Sequence, residues 1–249
     1  MATLNALPEN LAATPELLLP LSRWQLTLPL NLYSSPRGMG LATQAWPGRR
    51  LQLLAEPAQE KRRLVQLEED GYRGWIDPQQ LLGNGVSCPA HRPRLLDAAA
   101  IDALMPQLLT NAMAAMAVPN NYLWGGSLGP NFDCSGIVQR LFADLGVWIP
   151  RDAYQQERFC QSIAVNSNCL SLLKPGDLIF FGSPQRCSHV GLHLGEGRYL
   201  HSSGASHGRN GIGIDALWAS DKHPVACHYR AELRGAGRVQ RCHDGSHLP

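Results

Sequence analysis

The stretch Phe132-Asp-Cys-Ser-Gly-Ile-Val-Gln-Arg-Leu-Phe142 changes from a loop to a helix close to its cysteine. Beyond Gly136 the apolar side chains recur with helical spacing, and Gly146 is a typical stop signal. Cys134 is therefore expected at or just before the N-terminus of a helix, where the partial positive charge of the helix end favours a thiolate. The small Ser135 and Gly136 leave the sulfur approachable. Because a thiolate is a nucleophile, this stretch predicts nucleophilic chemistry.

A partner for the sulfur is predicted further along the chain. Residues 188–202 alternate like two short strands, and Gly195-Glu-Gly197 makes a tight turn between them. In an antiparallel hairpin of this length His189 and His201 become neighbours. His189 is then the candidate base for Cys134, and His201 is expected to hydrogen-bond the far nitrogen of the His189 ring and fix its tautomer.

Turn and strand patterns divide the rest of the chain. Residues 23–83 contain short, partly alternating apolar runs between turn formers, which predicts a small β-barrel. Residues 1–22 are a Pro- and Leu-rich lead-in that packs on the surface or frays, and residues 84–96 are a plausible linker. Residues 97–235 form a second domain, and residues 236–249 are predicted to be a disordered, solvated tail. The fold class is therefore predicted to be α+β.

The second domain is expected to start with helix. Asp97 is the predicted N-cap, and the residues after it are rich in Ala, Leu and Met. Pro106 interrupts this pattern, which predicts a kink or two shorter helices.

Composition excludes several classes of protein. The chain has 22 Lys and Arg against 20 Asp and Glu, a balance that predicts no nucleic-acid partner. No apolar run reaches the length of a membrane span, and no basic residue precedes Arg23, so no secretory signal is predicted and a cytoplasmic location is expected. The seven cysteines have irregular spacing without a C-x-x-C pair. No metal or cofactor is expected, and no heptad pattern predicts assembly beyond a monomer.

Several motifs in order resemble the NlpC/P60 family of papain-like cell-wall cysteine peptidases, and this resemblance spans residues 97–235. The motifs are Tyr122-Leu-Trp-Gly-Gly126, Asp133-Cys-Ser-Gly136, Leu173-Lys-Pro-Gly-Asp-Leu-Ile-Phe-Phe181, Ser188-His-Val-Gly191 and the hairpin to His201. In the barrel region, Gly74-Trp-Ile76 before an Asp-Pro turn resembles a bacterial SH3 domain.

The resemblance implies a role for each matching residue. Cys134 would be the nucleophile, His189 the base and His201 the third polar residue. Tyr122 would lie near the nucleophile and assist at the oxyanion. Asp133 would bind the free α-amino group of a peptide stripped from its sugar, although it also fits the N-cap of the same helix.

The combination of domains resembles the γ-D-glutamyl-L-diamino acid endopeptidases of cyanobacteria. In those enzymes a tyrosine of the SH3-like domain helps to recognise the L-Ala amino terminus, and Tyr72 matches its position. The closed cleft would accept short free peptides and exclude glycan-linked murein. The implied reaction is hydrolysis of the γ-D-Glu to diamino-acid bond in L-Ala-γ-D-Glu-diaminopimelate peptides, in murein recycling. Ser135 and Ser188, beside the reactive residues, are further candidate substrate contacts.

Other interpretations stay open at this point. The chain could be a murein-binding protein without catalysis, although binding alone needs no Cys–His–His set. It could also be an amidase or acyltransferase on the same scaffold, but in the circularly permuted relatives the histidine motif precedes the cysteine. His193, on the same strand face as His189, is the rival base. Tyr72 could simply be an exposed aromatic of the barrel.

Overall fold

The computed structural model describes residues 7–166 and 169–247. The chain forms two compact units: it passes from the first to the second between Pro93 and Arg94, and returns to the first at Asp244. The first unit is rich in antiparallel strands and the second packs helices on an antiparallel sheet. The predicted α+β class is therefore confirmed.

The strands of the first unit are short and antiparallel, and buried residues alternate along most of them. The strands are β1 (Arg23–Leu26), β2 (Leu30–Tyr33), β3 (Leu41–Ala45), β4 (Arg50–Leu53), β5 (Arg63–Leu67), β6 (Arg73–Ile76) and β7 (Gly85–Ser87). Their order in the sheet is β3-β2-β6-β5-β4-β1-β7. Trp24 and Leu51 are fully buried in its core, as the period of two requires.

The predicted linker differs from the structure at its start. Residues 85–87, assigned to the linker, form β7 and pair with β1 through Trp24 and Ser87. The Gly, Asn and Pro residues around them mimic a loop, and the strand is too short to show alternation. Ahead of β1, Leu17 and Leu18 pack against the same core, while residues 1–6 of the predicted lead-in lie outside the described residues.

The second unit opens with helices and closes with strands. Its helices are α1 (Ala98–Asp102), α2 (Met105–Ala117), α3 (Cys134–Ala143), α4 (Ala153–Phe159) and α5 (Pro224–Ala231). Its strands are β8 (Gln161–Ile163), β9 (Leu178–Ser183), β10 (Arg186–Gly195), β11 (Arg198–Ser203), β12 (Gly211–Ala216) and β13 (Leu233–Arg238). Asp97 caps α1 as predicted, accepting a hydrogen bond from the Ala100 N–H at 2.8 Å. Pro106 lies in the first turn of α2, after the predicted break.

The sheet of the second unit has the order β12-β11-β10-β9-β13-β8. Helix α3 belongs to the larger apolar cluster, with Val190 and Leu192 of β10. Val225 and Tyr229 of α5 belong to another cluster, with Phe181 and Tyr199 of the sheet. Because successive strand residues point to opposite faces, β10 supplies side chains to both layers.

The predicted disordered tail is wrong for residues 236–247. Ala236, Gly237 and Arg238 extend β13, which pairs with β9 and β8. Beyond the strand, Cys242 and His243 are buried. Low apolar content misled the prediction, because a strand inside a sheet is held by its backbone hydrogen bonds as well as by its side chains. Residues 248 and 249 lie outside the described part of the chain.

Within the ranges that the structure describes, no helix combines the length and apolarity that a bilayer crossing requires.

Candidate active site

Cys134 is the first residue of α3, at the point where the chain leaves a loop. The preceding residue, Asp133, has extended backbone angles and caps the helix by accepting a hydrogen bond from the Gly136 N–H at 2.6 Å. An aspartate at this position satisfies one of the N–H groups that lack a partner within the helix. The local sequence therefore fixes the cysteine at the helix end, as predicted.

A second contact positions this helix end. A Cβ built on Gly136 would lie 2.0 Å from the carbonyl oxygen of Gly126. The Gly126 carbonyl also accepts the N–H of Asp133 at 3.1 Å. The two glycines thus let the loop pass directly against the first turn of α3, which explains their place in the motifs.

Gly136→Ala is expected to lower the free energy of unfolding by about 1–3 kcal/mol, because the added methyl group overlaps a backbone oxygen that cannot rotate away. The urea unfolding midpoint of the full chain measures the change. Gly235→Ala is the matched control, since a Cβ at Gly235 meets no atom within 4 Å. Equal midpoints for the two variants would contradict this account of Gly136.

Asp133 also forms a buried, bidentate ion pair with Arg151. The sequence did not predict this pair. Arg151 is 1% exposed, and its Nη1 and Nη2 lie 3.0 and 2.8 Å from the two carboxylate oxygens. The same guanidinium donates to the Ser135 hydroxyl at 2.9 Å. Fork-to-fork geometry of this kind fixes orientation as well as charge. The first turn of α3 is therefore held by Arg151 as well as by the cap.

The environment of the Cys134 sulfur favours the thiol, whereas the sequence predicts a thiolate. Burial raises the pKa of the thiol to about 12, and the nearby Asp133 charge adds to the rise. Hydrogen bonds from the backbone N–H groups of Val190 and Ser135, and the charge of Arg151, offset the rise only in part. Desolvation of the sulfur outweighs the helix dipole, so a base must take the proton when the sulfur attacks.

The contact with Val190 places the sulfur beside His189, the preceding residue of β10. His189 is 6% exposed, and its Nε2 lies 2.7 Å from Nδ1 of His201 on the neighbouring strand β11. The structure therefore brings the two histidines together as the hairpin predicted, with the sulfur at the adjacent backbone position.

Two further side chains hold this pair and were not found from the sequence. His201 Nε2 lies 2.7 Å from the Oδ2 of Asp215 on β12. The Tyr229 ring stacks on His189, with centroids 4.0 Å apart and planes 17° apart, and its hydroxyl lies 2.9 Å from Ser203 Oγ. Asp215 could have been suspected as the one carboxylate in a short apolar strand, whereas nothing local marks Tyr229.

The loop ahead of Cys134 is tied to the histidine strand. Ser202, next to His201 on β11, donates a hydrogen bond from its hydroxyl to the carbonyl oxygen of Phe132 at 2.7 Å. Phe132 also forms an isolated bridge with Tyr122. Burial raises the pKa of the Tyr122 phenol, and the charge of a Cys134 thiolate would add to the rise, so the phenol keeps its proton.

The remaining predicted contacts have different environments. The Ser135 hydroxyl is buried against Arg151 and Asp133 and hydrogen-bonds to both. Ser188 is exposed at an irregularity of β10. Tyr72 belongs to the first unit, where it is half-buried against the barrel core. The substrate-binding roles predicted for Asp133, Ser135, Ser188 and Tyr72 stay predictions.

His193 has a structural environment. Its Nδ1 lies 2.8 Å from the Lys174 carbonyl oxygen, and its Nε2 accepts the N–H of Gly197 at 3.2 Å. A ring held between two backbone groups at the turn has no role as the rival base.

Two families of known domains match this chain. Residues 119–222 match the NlpC/P60 family, and residues 32–81 match the bacterial dipeptidyl-peptidase SH3 domain. Over 84 residues the chain is 40% identical to the γ-D-glutamyl-L-lysine dipeptidyl-peptidase of Bacillus subtilis (strain 168), a match covering 32% of this chain and 27% of that protein. Over 86 residues it is 37% identical to the murein DD-endopeptidase MepS/murein LD-carboxypeptidase of Escherichia coli (strain K12), covering 34% and 43%.

The matched stretch thus spans less than half the length of these two relatives. A solved structure of an NlpC/P60 family protein from Bacillus cereus ATCC 10987 superimposes with a TM-score of 0.45, at 23% identity over 88% of this chain and 64% of that one.

The second unit is a domain of the cysteine peptidase class. More closely, it is an NlpC/P60 domain preceded by a bacterial SH3 domain, which confirms the family that the ordered motifs predicted.

Proposed function

We propose that this chain is a cysteine endopeptidase that hydrolyses the γ-D-glutamyl to L-diamino acid bond of short murein peptides with a free N-terminal L-Ala. One observation carries the proposal: the Cys134 sulfur accepts the N–H of Val190, directly beside a histidine whose far nitrogen is held by His201. A nucleophile, a base and an orienting group in this order perform acyl transfer on unrelated folds.

The choice of bond follows from similarity. The Bacillus subtilis relative is named for the γ-D-glutamyl-L-lysine bond, and the matching SH3 family is named for bacterial dipeptidyl-peptidases. The Escherichia coli relative is named for different murein bonds, so DD-endopeptidase activity is the second candidate.

The mechanism uses the His189 ring in both halves of the reaction. His189 accepts the thiol proton while the Cys134 sulfur attacks the γ-carbonyl carbon of D-Glu. Backbone N–H groups at the start of α3, with the Tyr122 hydroxyl, stabilise the oxyanion, and one such donor is worth about 3 kcal/mol. Protonated His189 then gives its proton to the departing amine of the diamino acid. Water, deprotonated by the same ring, cleaves the thioester and releases L-Ala-γ-D-Glu.

Recognition of the free amino terminus stays part of the proposal. A carboxylate that meets an ammonium group makes a charge-assisted contact worth about 1.5–3 kcal/mol. Asp133 is the predicted partner, and the contact predicted for Tyr72 of the SH3 domain is a separate prediction. Since Arg151 already neutralises Asp133, the ammonium would share this carboxylate with the guanidinium. The cytoplasmic location and the role in recycling likewise stay predictions.

The proposal is tested with L-Ala-γ-D-Glu-meso-diaminopimelate and its N-acetyl derivative. We expect the first peptide to release L-Ala-γ-D-Glu, and the second to be cut at least about tenfold more slowly because the charged contact is lost. Chromatography of the products measures both rates. Equal rates would remove the amine-recognition role of Asp133 and Tyr72. Cleavage of a D-Ala–diaminopimelate cross-link instead of these peptides would favour the second candidate.

A further inference from the structure

Asp215 lies at the end of a continuous line of side chains that starts at the base. His189 Nε2, His201 Nδ1, His201 Nε2 and Asp215 Oδ2 are joined by two contacts of 2.7 Å each. His201 is fully buried and Asp215 is 4% exposed. At these distances each contact must contain one proton, since two bare acceptors would repel each other.

The carboxylate decides where these protons lie. Burial alone would raise the pKa of Asp215, but the hydrogen bonds from His201 and Arg209 and the charge of Arg209 bring it below its ordinary value. The ionised carboxylate only accepts, so His201 carries its proton on Nε2. In neutral His201 the Nδ1 atom is then unprotonated. The 2.7 Å contact between this atom and Nε2 of His189 therefore requires a proton on Nε2 of His189. In the neutral His189 ring Nδ1 is then the unprotonated nitrogen, the one that can accept a proton.

Arg209 holds the carboxylate in this orientation. Its Nη2 donates to Oδ1 of Asp215 at 2.7 Å, so the two carboxylate oxygens have separate partners. The guanidinium fits because residue 213 on the same strand is a glycine: a Cβ there would lie 2.1 Å from Nη1 of Arg209. His223 lies further away, with its Nδ1 3.5 Å from the same oxygen.

We propose that Asp215, clamped by Arg209, is a positioning residue that sets the tautomers of both histidines and so makes Nδ1 of His189 the base. The inference rests on the proposed function for its kinetic consequence. The tautomer assignment itself does not depend on which peptide is cleaved.

Asp215→Asn inverts this assignment. Arg209 needs an acceptor, so the amide oxygen would face the guanidinium and the NH₂ group would face His201. Nε2 of His201 must then accept a hydrogen bond from the amide, so the His201 proton moves to Nδ1 of His201. Nε2 of His189 must accept that proton's hydrogen bond, so the His189 proton moves to Nδ1 of His189. The base is blocked without loss of volume. An inverted tautomer at a catalytic histidine is known to cost about 10⁴-fold when the carboxylate contacts the base itself, so we expect at least about a hundredfold loss of kcat/KM on L-Ala-γ-D-Glu-meso-diaminopimelate.

Two readouts separate positioning from folding. Two-bond ¹H–¹⁵N spectra of the imidazole rings should show protons on Nε2 of both histidines in the native chain and on Nδ1 in Asp215→Asn. Alkylation of Cys134 by iodoacetamide, followed by mass spectrometry, should slow at least about tenfold in the variant. Neither measurement needs a substrate, so both still test the inference if the native chain leaves the peptide intact and the proposed function fails.

A rescue experiment sharpens the test. In Asp215→Asn/Arg209→Met the amide is no longer clamped and can turn its oxygen to His201. We expect the Nε2 tautomers to return and part of the alkylation rate to be recovered. Asp221→Asn, a carboxylate of the following turn that accepts N–H groups of Ala216 and His223, is the isosteric control and should behave like the native chain. Unchanged tautomers in Asp215→Asn, or a double variant slower than the single one, would overturn the proposal.

Discussion

Cys134→Ala is expected to lower kcat/KM for L-Ala-γ-D-Glu-meso-diaminopimelate by at least about 10⁴-fold, because removing the nucleophile of such a set abolishes the covalent route. The remaining groups, the helix N–H donors and the histidines, have no atom to transfer the acyl group to. Release of L-Ala-γ-D-Glu over time measures the loss.

Cys169→Ala is the matched control for this variant. Cys169 is exposed, and its sulfur lies 3.8 Å from the Ser171 hydroxyl. Its removal should leave the rate unchanged. A Cys134→Ala protein that still cleaves the peptide at the native rate would refute the assignment of the nucleophile.

Arg151→Met has the largest expected effect on stability. The guanidinium is buried and pairs with both oxygens of Asp133. Its removal leaves a carboxylate of similar burial without its cation, and breaking a buried pair in this way costs about 3–5 kcal/mol. The methionine fills much of the volume, so the loss is electrostatic rather than a cavity effect. Urea unfolding of the full chain, followed by circular dichroism, gives the change in free energy.

Arg140→Met serves as the comparison, because its partner Asp144 is one helical turn away at the surface. Such a pair contributes about 0.3–0.5 kcal/mol. Similar midpoints for Arg151→Met and Arg140→Met would mean that the buried pair does not hold the first turn of α3.

The parts of the site predicted from sequence depend on short-range rules. Cys134 at a helix start follows from a cap and a period of 3.6 residues, and the pairing of His189 with His201 follows from one tight hairpin. Both involve neighbours in the sequence, for which local geometry decides the outcome. The ordered motifs that predicted the family are likewise short segments of sequence.

The parts that were missed depend on burial and on distant segments. Arg151 reaches Asp133 from the loop before α4, and Asp215 reaches His201 from the next strand. A charged residue in a sequence is expected at the surface unless it is paired, and only the folded chain shows the pair. The protonation state of Cys134 was missed for the same reason. The pKa of this thiol is raised because the sulfur is buried, and the rule for helix ends does not include burial. The end of the chain was misjudged because β13 is rich in Gly and Arg.

The position of β13 has a consequence for biosynthesis. This strand lies between β9 and β8 rather than at a sheet edge, so a strand that leaves the ribosome after β8 to β12 fills an interior place. Until residues 233–238 have emerged, β9 lacks one of its two neighbours and the layer beneath α3 is incomplete. The sheet that carries His189 and His201 is therefore complete only after β13 has been synthesised.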